Sequence, residues 1–258
     1  MERRLWTRDE YILAFNLYLK IEFGKTYSTN PRIIELSNLI GRTPASVVMR
    51  LGNFASLDPF HQNRGVGGLK NTGNQVKLIW DEFFTNREEL VFESERILAQ
   101  KQQLSVEEKY KDILLDIKDI KGEDKIRAVK TRVNQSVFRQ MVLMNYSSKC
   151  AVTGIDLPDL LFASHIKPWS THETERLNPE NGICLSALYD KSFDKGYIGF
   201  DSNYKVLLSS ALKEKKNTEY YNTYFAPIEG TAILQPVQYL PKKEFLEFHR
   251  DTIFNRKQ

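Results

Sequence analysis

Apolar residues recur at helical spacing near the start of the chain. Thr7 precedes this segment, and Glu10 follows Thr7 by three positions, which is the capping-box pattern of a helix start. The apolar positions of the segment are Tyr11, Ile12, Phe15 and Leu19. Because this spacing places them on one helical face, the sequence predicts an amphipathic helix.

Two further helices are predicted before residue 56. Pro31 is expected at the start of the second helix, which ends near Gly41. Thr43 followed by Pro44 is a capping residue and a proline at the first helical position, and it predicts a third helix that continues to about Phe54. Three short helices with a tight turn before the last resemble a helix-turn-helix or Myb/SANT-like unit.

The third helix would present an exposed face. The residues predicted on this face are Ser46, Met49, Arg50 and Asn53. One interpretation is a recognition helix that lies in a DNA groove, and the other is a plain three-helix docking module. Both stay open, because a fold does not fix a function.

The middle of the chain changes in composition. Residues 58–79 are rich in glycine and asparagine and predict an irregular, mobile loop. Residues 80–124 are highly charged, and we predict two long helices there, over residues 88–103 and 106–121. These helices would form a linker at residues 81–124.

The second half of the chain predicts both helices and strands. An amphipathic pattern over residues 132–146 predicts a helix, and residues 150–154 and 160–166 predict two short strands. A further helix is predicted from about residue 182 to residue 195. The predicted fold class is therefore α+β, with a helical domain at residues 1–80 and a second domain at residues 125–258.

Composition is that of an ordinary globular protein of 258 residues with a net charge of +4. No apolar run approaches the roughly 20 residues that a membrane span needs. No apolar segment of a signal peptide follows the charged N-terminal residues, so we expect a cytoplasmic location. Cys150 and Cys184 are expected to be buried thiols, because a disulfide is unfavourable in that compartment.

Candidate catalytic and metal-binding side chains follow the second predicted strand. His165 lies near the end of this apolar strand, and Asn181 comes 16 residues later, after a polar loop. Asp190 and Asp194 are four positions apart, which places both carboxylates on one side of a helix. Like charges at this spacing repel unless a cation lies between them, and a divalent metal ion is a suitable cation.

The combined motif resembles the HNH endonuclease family, in the branch found among restriction and other defence nucleases. Its parts are Cys150–Gly154, Ala163–Trp169, Asn181–Leu185 and Tyr189–Gly196. The resemblance covers about residues 120–215. It implies a β-hairpin followed by a helix around one metal ion, the ββα-metal fold.

The resemblance also implies a role for each matching residue. His165 matches the general base, which takes a proton from the water that attacks the scissile phosphate. Asn181 matches the asparagine that fixes the loop and orients this histidine. Asp190 matches a metal ligand at the last motif position, and Asp194 matches a second helical ligand found in some members. The metal would stabilise the phosphate and the leaving oxygen.

Two positions depart from the family pattern. Asp190 stands where the last histidine of the name is found, and Ser164 stands where many members have another Asp or His ligand. An oxygen-rich ligand set favours Mg²⁺ or Mn²⁺ over Zn²⁺. The cysteine pairs that hold a structural zinc in other branches are absent from the sequence, so we expect no structural zinc.

Basic and polar residues near the predicted site are candidates for contacts with DNA. In the second domain they are Lys130, Arg132, Gln135, Arg139, Lys167, Arg176 and Lys195, and in the first they are Ser46, Arg50 and Asn53. Contacts to phosphates position DNA without reading its sequence. The alternative is that several of these side chains form only a solvated face.

Together these patterns predict a metal-dependent DNA endonuclease of the restriction or phage-defence type. Its substrate would be double-stranded DNA, with or without modified bases. A homodimer is expected, because double-strand cutting needs two active sites. Two alternatives stay open: a homing or mobile-element nuclease, and a catalytically degenerate regulator that binds DNA.

Overall fold

The computed structural model describes residues 4–65, 73–117 and 120–257. The chain divides into two compact units, residues 1–137 and residues 138–258. The segment 81–124, predicted as a linker, lies within the first unit. Part of the predicted loop, residues 66–72, lies outside the described residues.

The described part of the first unit is helical. Its α-helices are α1 (Arg8–Leu19), α2 (Pro31–Ile40), α3 (Pro44–Ala55), α4 (Pro59–Gln62), α5 (Asn74–Phe83), α6 (Arg87–Lys101) and α7 (Val106–Lys109). Short 3-10 helices lie at Phe23–Lys25, Lys111–Ile113 and Leu115–Ile117. Helix α8 (Gly122–Asn145) begins in the first unit and ends in the second.

The three predicted N-terminal helices are confirmed. Thr7 accepts a hydrogen bond from the Glu10 amide at 3.3 Å, and the Glu10 carboxylate accepts one from the Thr7 amide at 2.9 Å. Helix α1 packs against α3 and α6. In its core, the Phe15 ring stacks on Phe54 at 4.6 Å and on Trp80 at 5.0 Å.

The prediction of the exposed face of α3 is partly wrong. Met49 is exposed, but Asn53 is only 5% exposed. The Arg50 guanidinium lies over the rings of Trp6 and Tyr11, at 4.8 and 4.9 Å from their centroids. Because α3 contacts α1, α2 and α5, its buried surface is wider than one stripe.

Two predictions for the middle of the chain are wrong. Residues 59–62 and 74–79 lie in helices α4 and α5 rather than in an irregular loop, because α5 buries apolar side chains at helical spacing. The long helix predicted over residues 106–121 is instead α7 followed by two 3-10 turns. A continuous helix would hold Val106 and Ile117 about 16 Å apart, whereas the folded segment packs both into one apolar cluster.

The second unit contains two antiparallel two-stranded sheets. Its strands are β1 (Leu161–His165), β2 (Gly182–Ser186), β3 (Ile198–Phe200) and β4 (Val206–Leu208). Its helices after α8 are α9 (Ala187–Asp194), α10 (Ser210–Lys213), α11 (Glu219–Tyr224) and α12 (Lys243–Thr252), with 3-10 helices at Pro158–Leu160, Glu173–Glu175, Pro179–Asn181, Ala226–Ile228 and Phe254–Lys257. Strand β1 pairs with β2, and β3 pairs with β4. Helix α9 packs against β1, β2 and β3, and α12 packs against β3.

Three sequence predictions for the second half need correction. Residues 150–154 form a turn rather than a strand, because the Gly154 amide bonds the Cys150 carbonyl and closes the chain on itself. Residues 182–186 form β2 rather than the start of a helix, because this fully buried run pairs along β1. The helix predicted to start at residue 132 starts at Gly122.

The thiols of Cys150 and Cys184 are free and buried, as predicted. The fold class is α+β, since helices dominate and the strands form small separate sheets. No helix in the described part of the chain is both long and apolar enough to cross a membrane.

Candidate active site

His165 is held between aromatic rings at the end of β1. Its ring stacks on Phe138 of α8 with centroids 3.7 Å apart, and the Trp169 ring meets it edge-on at 5.4 Å. In the sheet His165 lies opposite Gly182. A Cβ atom at residue 182 would lie 2.4 Å from Val142 Cγ2 and 2.9 Å from Phe138 Cζ. The glycine therefore permits the close packing that supports the His165 ring.

The protonation of the His165 ring follows from its hydrogen bond. Nε2 lies 3.0 Å from the Arg176 carbonyl oxygen. A carbonyl oxygen only accepts, so Nε2 carries the proton and, in the neutral ring, Nδ1 carries the lone pair. Burial lowers the pKa of His165 to about 4, although the bond to the Arg176 carbonyl opposes this shift. The ring is thus neutral at physiological pH and can accept a proton at Nδ1.

Asn181 fixes the loop between β1 and β2. Its Oδ1 accepts a hydrogen bond from the Lys167 amide at 2.8 Å. Its Nδ2 donates to the carbonyl oxygens of Lys167 and Glu175, both at 3.1 Å. Because Glu175 directly precedes Arg176, the fully buried Asn181 also positions the carbonyl that holds His165.

Asp190 and Asp194 lie one turn apart on α9. The Ser164 hydroxyl donates a hydrogen bond to Asp190 Oδ1 at 2.6 Å, which joins the carboxylate to β1 next to His165. Desolvation of its carboxyl group raises the pKa of Asp194, and the negative charge of Asp190 raises it further. The two carboxylates therefore interact electrostatically, and a cation between them would relieve their repulsion.

A cavity of about 400 Å³ brings the predicted chemical groups together. Four predicted site residues line it: His165, Asp190, Asp194 and Lys195. The other residues of its lining are Ala163, Ser164, Pro168, Trp169, Lys191, His249 and Ile253. Asn181 is not in this lining, which agrees with a positioning contact through the loop backbone.

The donor set of the cavity suits a hard divalent cation. Two carboxylates face it together with the Ser164 hydroxyl, all of them oxygen donors. No group of three His, Cys, Asp or Glu side chains in the described residues is arranged to hold a metal. Mg²⁺ commonly binds through one or two carboxylates and completes its shell with water and substrate phosphate, so two carboxylates are sufficient for such an ion.

Several residues predicted to contact phosphate are engaged within the protein. Arg176 donates from Nε to the Trp169 carbonyl at 2.8 Å, and its guanidinium lies over the Trp169 ring. Arg139 donates to the carbonyls of Pro158 and Leu161 and so supports the start of β1. The Lys167 ammonium lies 4.5 Å from the Phe245 ring centroid.

The remaining predicted contacts lie in the first unit. Lys130 forms an ion pair with Glu89, and Arg132 donates to Gln135 Oε1 at 3.3 Å. The residues on α3 belong to the same unit. For all of these residues, contact with DNA stays a prediction.

His249 lies on α12 and lines the cavity, although no sequence pattern indicates it as a site residue. It comes 55 positions after Asp194 and outside the motif, so no local spacing connects it to the other site residues. Trp169 also lines the cavity, and its ring contacts His165.

Comparison with protein families agrees with this geometry. Residues 150–201 match a family model described as HNH endonuclease. The chain contains an HNH endonuclease domain. The match includes β1, β2 and α9, which carry His165, Asp190 and Asp194, and this arrangement is the hairpin and helix that the motif implied. Comparison with curated proteins found no significant match.

An HNH endonuclease domain indicates a nuclease, with DNA as its substrate. Such nucleases generally use a divalent metal ion. The matched segment ends at residue 201, so α12 and His249 lie beyond it.

Proposed function

We propose that this protein is a metal-dependent DNA endonuclease that hydrolyses phosphodiester bonds, with His165 as the general base and one Mg²⁺ or Mn²⁺ ion at Asp190 and Asp194. The observation that carries the proposal is that all three side chains line one cavity. A neutral imidazole and two adjacent carboxylates are the groups that water activation and cation binding require.

His165 takes a proton from water at Nδ1. The bond from Nε2 to the Arg176 carbonyl keeps the ring in this tautomer and stabilises the imidazolium that forms. Phe138 and Trp169 restrict the rotation of the ring. Asn181 holds the backbone that accepts the Nε2 hydrogen bond, so its contribution is positional.

Asp190 and Asp194 would hold the cation, and Ser164 orients the Asp190 carboxylate. The bound cation supplies Lewis-acid stabilisation of charge on the phosphate and the leaving oxygen. Lys195 and Lys191, in the same cavity lining, add positive charge that attracts the phosphate backbone.

A restriction or phage-defence role in the cytoplasm is the setting that we infer, with a homodimer for double-strand cutting. We infer that helices α1 to α3 recognise the DNA, in the manner of a helix-turn-helix. Support for this comes from the tight turn at Gly41, which adopts a left-handed conformation between α2 and α3. A DNA-binding assay with Met49→Glu, an exposed position on α3, tests this part separately.

Plasmid cleavage tests the nuclease proposal. Purified protein is incubated with supercoiled DNA and Mg²⁺, Mn²⁺ or EDTA, in the native form and as Asp190→Ala. Metal-dependent cutting by the native protein, lost in Asp190→Ala, is expected. Retained DNA binding without cutting under any metal would instead favour the catalytically degenerate regulator.

A further inference from the structure

Helix α12 forms part of the wall of the candidate site, although it lies beyond the segment that matches the HNH family. His249 on this helix and Ile253 just after it line the cavity. The Lys167 ammonium, on the loop after β1, lies over Phe245 and Phe248 of the same helix at 4.5 and 5.3 Å. Helix α12 is therefore in contact with the loop that follows β1.

His249 is held tightly against α9. It is 1% exposed, and its ring stacks on the Phe193 ring with centroids 3.7 Å apart and planes inclined by 3°. Its Nε2 lies 3.0 Å from the Phe193 carbonyl oxygen and must donate to it. Since Phe193 directly precedes Asp194, this bond anchors the backbone next to one of the two carboxylates.

The other ring nitrogen of His249, Nδ1, is a hydrogen-bond acceptor without a partner among the described residues. With the proton on Nε2, Nδ1 carries a lone pair in the neutral ring, and it is buried without a hydrogen-bond partner in the structure. Leaving a buried acceptor unpaired is costly, so such a group usually binds a ligand or an ordered water. The adjacent cavity is large enough for several water molecules and is lined by carboxylates that can bind them.

We propose that His249 is a positioning residue of the nuclease site, which anchors the end of α9 through Nε2 and accepts a hydrogen bond at Nδ1 from a water molecule in the metal cavity. This inference rests on the proposed function, because it assigns His249 to the same cation site. His249 then orients water around the ion, as residues behind metal ligands commonly do.

Two substitutions separate the contacts of the two nitrogens. His249→Gln keeps an amide donor near the position of Nε2 and removes the acceptor at Nδ1. His249→Asn keeps an oxygen acceptor near Nδ1 and removes the donor to Phe193. His172→Gln is the matched control, since His172 lies on the loop and is absent from the cavity lining.

Mn²⁺ binding to the full-length protein without DNA is measured by calorimetry, together with thermal unfolding of each variant. His249→Gln is expected to bind Mn²⁺ about 10-fold more weakly while unfolding near the native temperature. His249→Asn is expected to unfold at a lower temperature and to keep its Mn²⁺ affinity within a few fold. His172→Gln is expected to match the native protein in both measurements.

The comparison with Asp190→Asn distinguishes this inference from the proposed function. Native Mn²⁺ affinity in His249→Gln, together with weakened binding in Asp190→Asn, would overturn the role of His249 alone. If the native protein bound no Mn²⁺, both the metal site and the role of His249 would be refuted.

Discussion

Gly182→Ala is expected to displace the His165 ring indirectly, through Phe138. Gly182 adopts φ −126° and ψ 139°, an extended conformation that alanine accepts without strain. The effect of the added methyl group therefore comes from packing alone. That methyl group would meet Val142 and Phe138, and Phe138 is the ring on which His165 stacks.

The size of the effect follows from the distances. The new Cβ would lie 2.4 Å from Val142 Cγ2, whereas ordinary contacts begin at 3.4 Å, so these groups must separate by about 1 Å. Inserting a methyl group into a well-packed core typically costs about 1–3 kcal/mol of stability. If the Phe138 ring moves away from the new methyl group and displaces the imidazole of His165 by about 1 Å, the cleavage rate is expected to fall about 100-fold.

Urea unfolding and single-turnover plasmid cleavage with Mn²⁺ measure the two effects. The double variant Val142→Ala and Gly182→Ala removes the shortest contact, so it is expected to recover part of the lost stability and part of the rate. A Gly182→Ala protein with native stability and native cleavage rate would refute the argument that Phe138 positions His165.

Three other changes test further parts of the structure. Asn181→Asp places a carboxylate against two backbone carbonyls, so we expect kcat to fall at least 10-fold with less change in KM, measured by steady-state cleavage. Glu95→Gln leaves two partly buried lysines without their counter-charge and should cost about 3–5 kcal/mol in urea unfolding, whereas Glu93→Gln, in a more exposed pair, should cost about 1 kcal/mol or less. Burial lowers the pKa of His165 and of His249 to about 4. As the pH falls from 6.5 towards 4, the unfolded chain therefore binds more protons than the folded protein does. The urea midpoint should fall as pH drops from 6.5 towards 4, and His249→Gln should reduce this dependence. A midpoint that stays constant across this pH range would contradict the buried, neutral state of both rings.

The local features of the fold were predictable where one short segment determines them. Thr7 with Glu10, Pro31 and the Thr43–Pro44 pair begin helices as predicted, because capping and proline act over a few residues. Residues 182–186 are a short buried run, and such a run has no periodicity that separates strand from helix. Only pairing with β1 decides that this run is a strand.

The site was predictable to the extent that its residues lie within the motif. His165, Asp190 and Asp194 line one cavity, and the resemblance to the HNH family had placed all three in one site. His249 could not be predicted, since tertiary packing of α12 alone brings it to α9. The charge of Arg176 predicts a phosphate contact, whereas its bond to the Trp169 carbonyl depends on the folded loop.

The most direct test of the central claim is the single-turnover rate of plasmid cleavage by His165→Ala with saturating Mn²⁺, compared with the native protein and with His172→Ala. Loss of a general base predicts a rate about 10² to 10⁴-fold below native for His165→Ala, with Mn²⁺ affinity preserved and His172→Ala near native. Cleavage by His165→Ala within a few fold of the native rate would contradict His165 as the base.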